Sequence, residues 1–288
     1  MNDIVTKLEK EFLLCCPACK GRLDHDDRRC GACGRPYELL GAIPSFLDED
    51  TKRAMQTDVS SDKENAFLNY CKRWPKFYTW MTLIVAPICY TGLTAKKFLR
   101  QRGDGQRLLN VGSGASRLHP HICNVDLIPF ENVHVVADAK HLPFPDETFD
   151  AVCSDQVLEH VFDPSSVVAE MLRVTKPGGL IYVAAPFMYP LHPSPKDYSR
   201  WSVDGLVMMF SGHTVAEAGV LIGPVSGTMS VLASGLATFC SFGITPLRKA
   251  LHYGFMLILT PFSILDFFYA RVPGAKDVAG NVYVVIQK

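Results

Sequence analysis

The chain predicts an α/β fold: a mostly parallel sheet with an antiparallel last strand, a small cysteine-rich module in front, and an apolar helical insertion before the end. Three observations carry this. Leu108, Leu109 and Val111 form the short apolar run of a buried strand, which Gly112-Ser-Gly114 then breaks. A second apolar stretch, Ile122 to Val125, ends in Asp126. Beyond it Val133 to Ala137, Phe149 to Ser154 and Leu180 to Ala185 read as strands, with a helix from about Ser165 to Thr175 ended by Lys176-Pro-Gly-Gly. This alternation makes a parallel sheet with crossover helices. The carboxyl ends of its strands bring Gly112, Gly114, Asp126, Asp138 and Asp155 to one edge, where open parallel sheets bind ligands.

Two glycines after a strand let backbone pass close to a ligand, although alone they also make an ordinary tight turn. Asp126 strengthens the ligand reading, because a carboxylate ending the second strand can grip both hydroxyls of a ribose. The dinucleotide fingerprint needs a third glycine at position 117, where Arg117 stands. The cofactor therefore need not be NAD.

At 288 residues the chain has room for one ordinary domain and a smaller one, and 48% hydrophobic content suffices for a large core. Lys plus Arg and Asp plus Glu are 29 each, so no global positive field favours nucleic acid or anionic lipid. The N-terminus lacks the basic start, long apolar core and cleavage site of a secretory signal, and a cytoplasmic location is the expectation.

Cys16-Pro-Ala-Cys19 and Cys30-Gly-Ala-Cys33 form C-x2-C-x10-C-x2-C, two chelating knuckles that can bring four thiolates to one tetrahedral ion, with zinc the expected metal. Ala18, Ala32 and Gly34 leave room for backbone amides to reach the sulfurs. Unpaired core cysteine or a redox Cys-x-x-Cys are the alternatives. Cys15 is a spare neighbour, and Cys71, Cys89, Cys123, Cys153 and Cys240 read as small apolar core residues.

From Leu108 to about Trp201 the blocks occur in the order of the S-adenosylmethionine-dependent methyltransferases of the Rossmann-like type, which this stretch resembles, in particular the methyltransferase type 11 group. Val135 to Val152 resembles that family's third strand, adenine-side Asp and fourth strand. Ser154 to Pro164 resembles the segment facing the methyl group, and Arg173 to Pro186 the fifth strand and its entry turn. The resemblance implies S-adenosylmethionine held by Gly112, Ser113, Gly114, Asp126, Leu127, Asp138, Ala139, Asp155 and Gln156, with Asp138, Ala139 and Leu142 beside the adenine. A turn carboxylate is the plainer role for Asp138. Two departures concern the methionine end: Asn110 stands where the family usually has an acid, and Ala115 to His121 is shorter than its usual helix.

Leu14 to Leu47, with Cys-Gly-Arg-Pro-Tyr37 and Gly41-Ala-Ile-Pro-Ser-Phe46, resembles the zinc ribbon of the activator subunit of tRNA methyltransferases. A ribbon this small cannot bury enough apolar surface to fold alone, so metal ligation would supply its stability. Its role is expected to be structural or recruiting. Ribosomal RNA guanine methyltransferases have a similar layout, which keeps RNA open as a substrate. Asp24, Asp26, Asp27 and Glu38 mixed with Arg22, Arg28, Arg29 and Arg35 nevertheless leave no clean basic face.

The domain plan expected is a ribbon over 1–50, a linker and lid helices over 51–105, and the methyltransferase domain over 106–288 with an insertion at about 225–272. Asp48 to Glu64 is polar with little periodicity and reads as the linker. Phe67 to Leu99 reads as helices lidding the cofactor. Between Lys76 and Lys96 there is no charge, yet Pro87 and the threonines favour a buried lid over a membrane span.

Pro186 to Trp201 holds four prolines and reads as a rigid loop carrying His192, Asp197, Tyr198 and Arg200 on the acceptor side. Methyl transfer is a displacement that needs positioning and exclusion of water, and a hydroxyl acceptor also needs a base. His192 is the first choice and Asp197 the second; Arg200 suits an anionic acceptor. A similar His, Asp-Tyr and Arg grouping occurs in type 11 enzymes found beside polysaccharide-assembly genes. The plainer alternative is a loop whose His and Tyr cap the sheet edge. Glu159 and His160 read equally as a helix-anchoring pair or as catalytic groups.

From Val203 a short amphipathic helix leads to a strand around Thr214 to Leu221, which should pair antiparallel with a last strand at Asn281 to Gln287. Between them Ala218 to Leu247 has no charge, and Leu251 to Leu265 adds a second apolar run. The insertion is either a helical hairpin packed over the acceptor site or a segment dipping into a bilayer toward a lipid-linked substrate. Pro261 and Asp266 interrupt it, which favours a buried or membrane-surface hairpin over spanning helices. The function expected is O-methylation of a small or carbohydrate acceptor, lipid-linked acceptors included, at the inner face of the membrane or in the cytoplasm. An RNA methyltransferase and a non-catalytic scaffold are the alternatives.

Overall fold

The computed structural model describes residues 13–24, 26–53, 89–103, 105–191 and 196–288. His192 and most of the expected linker and lid, at 54–88, lie outside the described residues.

The cysteine module opens with an antiparallel pair, β1 (Leu23–Asp24) and β2 (Arg29–Cys30), and continues into β3 (Glu38–Leu40) and β4 (Ile43–Ser45). Helix α1 (Ala95–Arg100) follows, capped by Thr94, whose hydroxyl accepts from the Lys97 amide. Then come β5 (Leu108–Val111), β6 (Ile122–Asp126), β7 (Val135–Val136) and β8 (Phe149–Asp155). Helix α2 (Pro164–Val174) has Pro at its start and buries Val167, Val168, Met171 and Val174 along one stripe. After β9 (Thr175–Pro186) and α3 (Val203–Met208) the chain runs through β10 (Thr214–Ile222). Two antiparallel helices, α4 (Pro224–Cys240) and α5 (Thr245–Leu259), and the short α6 (Asp266–Tyr269) precede β11 (Asn281–Gln287).

Nine strands form one sheet in the order β10-β11-β9-β8-β5-β6-β7-β4-β3. From β9 to β4 the neighbours are parallel, and β11 lies antiparallel to both β9 and β10. The central strands are apolar throughout because both faces are covered. On one face Leu109, Val111, Val152, Val183 and Val284 pack with Met171, Leu206 and Phe210; on the other, Leu108, Cys153, Tyr182 and Tyr283 pack with Phe98 and Leu99. Each fully buried large side chain among them contributes about 2 kcal/mol.

Three local features shape the site. The cysteine module does not stand apart: Ser45 pairs with Val136, the Phe46 amide donates to the Val136 carbonyl at 2.8 Å, and Leu14, Leu23 and Tyr37 belong to the main core. Helix α2 ends at Val174, just ahead of Lys176-Pro-Gly-Gly as expected, and those residues open β9, where the Gly178 amide donates to the Lys288 carbonyl at 2.8 Å. Residues 112–121 cross from β5 to β6 without a helix, being too few for the usual crossover. On that side lies a hollow of about 600 Å³ lined by Arg100, Arg117, His119, Asn132 and His134 among others.

Candidate active site

At the end of β5 the chain turns through Gly112 (φ +70°) and Gly114 (φ +53°). A side chain at 112 would meet Val157 at 2.3 Å, so only glycine fits this turn beside the neighbouring strand end. The Gly112 and Ser113 amides donate to the Val125 carbonyl, which locks the loop onto β6. Asp126 accepts from the Gly114 amide at 2.7 Å and from the Ile128 amide at 2.9 Å. Burial raises its carboxyl, and those amides oppose the rise. Each oxygen retains a lone pair, so the carboxylate can still receive two ribose hydroxyls.

Asn110 does not reach this edge. Its amide donates to the Asn124 side chain at 3.1 Å and its oxygen faces Cys153, while Asn124 donates to the Asn132 carbonyl. The usual acid is replaced by a buried amide ladder, which fixes β5 against β6.

The wall expected beside the adenine is Asp138 to Leu142. Asp138 accepts from the Lys140 amide and pairs with the Lys140 ammonium at 3.3 Å, which makes it a turn carboxylate with its second oxygen in a salt bridge. Leu127 stands half-exposed and Ala139 half-buried, while Leu142 is buried. The sequence did not point to the brace of this wall. Glu170 on α2 accepts the Leu142 amide at 2.8 Å, and Arg173 donates to the carbonyls of Leu142 and Phe144 and to Glu170. Burial would raise the Glu170 carboxyl, but the Arg173 guanidinium outweighs it and holds it low. From the other side the Cys15 amide donates to the Pro143 carbonyl at 2.9 Å, and Lys20 reaches both the Leu142 carbonyl and Glu170. The cysteine module thus buttresses the cofactor wall.

Asp155 ends β8 at the same edge. Burial first, and then the neighbouring Glu159 carboxylate, push its carboxyl up to about 6. Gln156, left-handed at φ +59°, accepts from the Asn281 side chain at 2.8 Å. The Gln156 side chain lies against the Asp155 carboxyl and opposes its rise; the second N–H of its Nε2 and the Asn281 Oδ1, which lacks a partner among the described residues, give this edge one donor and one acceptor. Asn281 opens a strand adjacent to β9 but nearly a hundred residues later, and no local pattern could have marked it.

The loop after β9 closes the edge. Trp201 donates from its amide to the Pro186 carbonyl at 3.1 Å and packs into the core. The Tyr198 amide donates to the Glu159 carbonyl at 2.7 Å, and the His160 ring nitrogen lies 2.6 Å from the Lys196 carbonyl. Glu159 and His160 therefore anchor the loop, and the exposed rings of Phe162 and Tyr198 meet edge to face at 5.7 Å. Arg200 makes a two-pronged pair with Asp197, one prong at 2.7 Å, and also donates to the carbonyls of Tyr189, Pro190 and Ser199. These contacts occupy all five guanidinium N–H groups. In this arrangement Arg200 has no donor left for an anionic acceptor, and the Asp197 carboxylate serves the guanidinium rather than a substrate proton.

The four cysteines expected to bind metal do converge: the sulfurs of Cys16, Cys19, Cys30 and Cys33 all lie within 4.8 Å of one another. Cys16 and Cys33 are 3.7 Å apart and Cys19 and Cys30 are 3.4 Å apart. A tetrahedral zinc with Zn–S of about 2.3 Å needs sulfurs roughly 3.8 Å apart. Backbone amides of Cys33 and Ala32 aimed at Cys30 lower its thiol, while the shared proton with Cys19 raises that partner.

A parallel sheet with a glycine turn, a ribose-type carboxylate and an acceptor edge at one set of strand ends defines a nucleoside-cofactor enzyme. Residues 109–183 match the methyltransferase domain family. Over 181 residues the chain is 31% identical to ubiquinone/menaquinone biosynthesis C-methyltransferase UbiE of Enterobacter sp. (strain 638), a match covering 57% of this chain and 70% of that relative. The protein of the same name from Desulfotalea psychrophila is 38% identical over 86 residues, 29% of this chain and 35% of its own length, so here the chain spans about a third of the relative. Phosphoethanolamine N-methyltransferase 2 of Haemonchus contortus, solved with phosphomonomethylethanolamine and S-adenosylhomocysteine, has a TM-score of 0.46 at 18% identity over 73% of this chain and 56% of that one. The chain belongs to the S-adenosylmethionine-dependent methyltransferases of the Rossmann-like type.

Proposed function

We propose that this methyltransferase O-methylates a small or carbohydrate acceptor carried on a lipid. The observation that carries the reading is the junction at the acceptor edge: the loop after β9 meets the base of the apolar hairpin, with the Phe187 amide on the Gly280 carbonyl and the Met188 amide on the Ala279 carbonyl. An acceptor with a polar head and an apolar tail has a surface for each part there.

Bound S-adenosylmethionine supplies a methyl group on a sulfonium. Gly112, Ser113, Gly114 and Asp126 hold its nucleoside, with Leu127, Asp138 and Ala139 around the base. Asp155 and Gln156 face the acceptor. Asp155, with a carboxyl poised near 6, takes the hydroxyl proton, and His192 is the second candidate for that base. Gln156 and Asn281 offer a donor and an acceptor that orient the head. Asp197 and Arg200 hold the loop that excludes water, and Tyr198 contributes its exposed ring to the rim. Cys16, Cys19, Cys30 and Cys33 bind one structural zinc, for which the sulfur spacing is the support.

The names of the UbiE relatives favour a second reading, transfer to a ring carbon of a quinone-type lipid. Incubation with deuteromethyl S-adenosylmethionine, a membrane lipid extract and total cellular RNA, followed by fragmentation mass spectrometry of the lipid and RNA fractions, separates the two. Label lost with an alkoxy fragment supports O-transfer, and label retained on a ring carbon supports the quinone reading. Label found only in RNA overturns both.

A further inference from the structure

Within Thr245–Tyr269, 25 residues long, the most apolar 18-residue window has mean hydropathy 1.4, yet only 17% of that window is buried. A helix apolar on most sides belongs in a protein core or in lipid; this one lies outside the core. Leu257, Ile258, Phe262, Phe267, Phe268 and Tyr269 are each at least half exposed. Contact with α4 uses only a narrow stripe, where Met256 packs near Ala233 and the His252 ring meets Ser234 at 3.4 Å.

Charge is sorted in the same way. Between Lys249 and Arg271 the one charged residue is Asp266, and it points inward. Its two oxygens accept from the amides of Val225 and Ser226 at 2.8 Å each, capping α4. The outer face from 250 to 270 carries no charge, whereas the exposed Arg248, Arg271 and Lys276 flank it, with the exposed Asp277 just past the insertion.

We propose that this hairpin seats in the interfacial region of an anionic bilayer, lying in the membrane plane. The proposal rests on the lipid-borne acceptor of the proposed function for its purpose, and on exposure and charge for its geometry. Lying flat follows from two facts. Helix α4, at 17 residues, is about 25 Å long, short of the ~30 Å hydrocarbon core. Tip-first insertion would also carry Arg248 and Lys249 into hydrocarbon, whereas in the plane both sit at headgroup level. The hairpin base touches the acceptor edge: Gly227 packs against Gly280, next to Asn281, and against the Met188 carbonyl of the loop after β9. A molecule seated this way holds its acceptor edge next to the bilayer.

The test is flotation of the full chain with phosphatidylcholine vesicles containing a minority of phosphatidylglycerol, alongside calorimetric titration with S-adenosylhomocysteine. Wild type is expected to float, and to lose part of its binding when phosphatidylglycerol is omitted. The double variant Ile258→Glu, Phe268→Glu, altered only on the exposed face, is expected to stay in the dense layer with unchanged S-adenosylhomocysteine affinity. A wild type that stays in the dense layer overturns the proposal. If it is then a dimer that the double variant breaks, the face belongs to a second copy. A double variant that floats like wild type also overturns it. Flotation without transfer to any lipid-borne acceptor leaves the membrane seat standing and sinks the proposed function instead.

Discussion

The Cys15 amide donates to the Pro143 carbonyl at 2.9 Å, which ties the residue before the first cysteine knuckle to the segment Asp138 to Pro143 that is expected to flank the cofactor. Lys20, one residue past that knuckle, reinforces the tie through the Leu142 carbonyl and Glu170. Releasing the metal should therefore weaken cofactor binding and not merely unfold a separate module. Two hydrogen bonds at about 1 kcal/mol each set the scale, so Cys16→Ser or chelation should weaken S-adenosylhomocysteine by up to roughly thirtyfold. Lys20→Met should retain the metal and lose a smaller part of the affinity. Metal analysis and calorimetry on the same samples check this; chelated protein that binds as tightly as the loaded form would refute the buttress.

Asp126 and Gly112 both shape the cofactor edge, but their substitution should differ in kind. Asp126→Ala removes the ribose carboxylate and the Gly114 amide's partner. It should cut S-adenosylhomocysteine affinity by at least tenfold, about 1.4 kcal/mol, with a small change in melting temperature. Gly112→Val must push against Val157 in a left-handed conformation. Overpacking of this sort costs about 1 to 3 kcal/mol, so this variant should lose stability as well as binding. Thermal unfolding separates the two.

The Asp155 carboxyl gives a pH signature. Burial, with Glu159 second, raises it to about 6 in the folded protein, above the unfolded value of about 4. The folded state therefore holds this proton more tightly than the unfolded chain. The stability this contributes is complete below about pH 4 and is lost as the pH climbs through about 6. As a base it works only when ionised, so kcat/KM should rise with unit slope below about pH 6 and level off above. Asp155→Asn should remove that limb; if the limb persists in Asp155→Asn and vanishes in His192→Asn, the base is His192.

The Asp197–Arg200 pair should act through loop position. Asp197 is nearly fully buried beside the guanidinium, and removing one partner of such a pair costs on the order of 3 kcal/mol. Asp197→Ala should raise KM for the acceptor while leaving S-adenosylhomocysteine affinity unchanged. Arg200→Lys cannot occupy five acceptors and should fall between wild type and Asp197→Ala. A binding defect equal for acceptor and cofactor would argue against a local clasp.

The sheet was legible because its signals are local: short continuous apolar runs, a glycine break, and Asp126 and Asp155 at strand ends. The four cysteines were legible from spacing alone. Pairings between distant segments were not. Nothing in Ile43-Pro-Ser45 announces that it will extend the sheet, since one residue pair, Ser45 with Val136, makes the join. The ion pair that occupies Arg200 was within reach, because Asp197 stands three residues before it, but in a proline-rich loop that spacing has no helical meaning. Asn110 was noted as a departure from the family's acid, while its partner Asn124 sits on the next strand, beyond any local pattern.

Asp266 illustrates this limit most directly, because in the sequence it reads as an interruption of an apolar run, whereas in the fold it closes the hairpin. Its carboxylate accepts from the Val225 and Ser226 amides forty residues away, and Gly223 has no side chain because that carboxylate sits where its Cβ would be, 2.2 Å off. Asp266→Ala removes both caps from the start of α4 and should cost roughly 1 to 2 kcal/mol at that junction. The helices α4 and α5 would then part from the sheet before the rest unfolds. Limited proteolysis should cleave the variant faster than wild type between Ser241 and Thr245 and around Val272. S-adenosylhomocysteine affinity should not change, because no residue of the glycine turn or its carboxylates touches the clasp. Asp266→Asn, which keeps one acceptor oxygen for the α4 amides, should be cleaved at an intermediate rate; a variant as resistant as wild type would show that α4 is held by its packing on Gly280 instead.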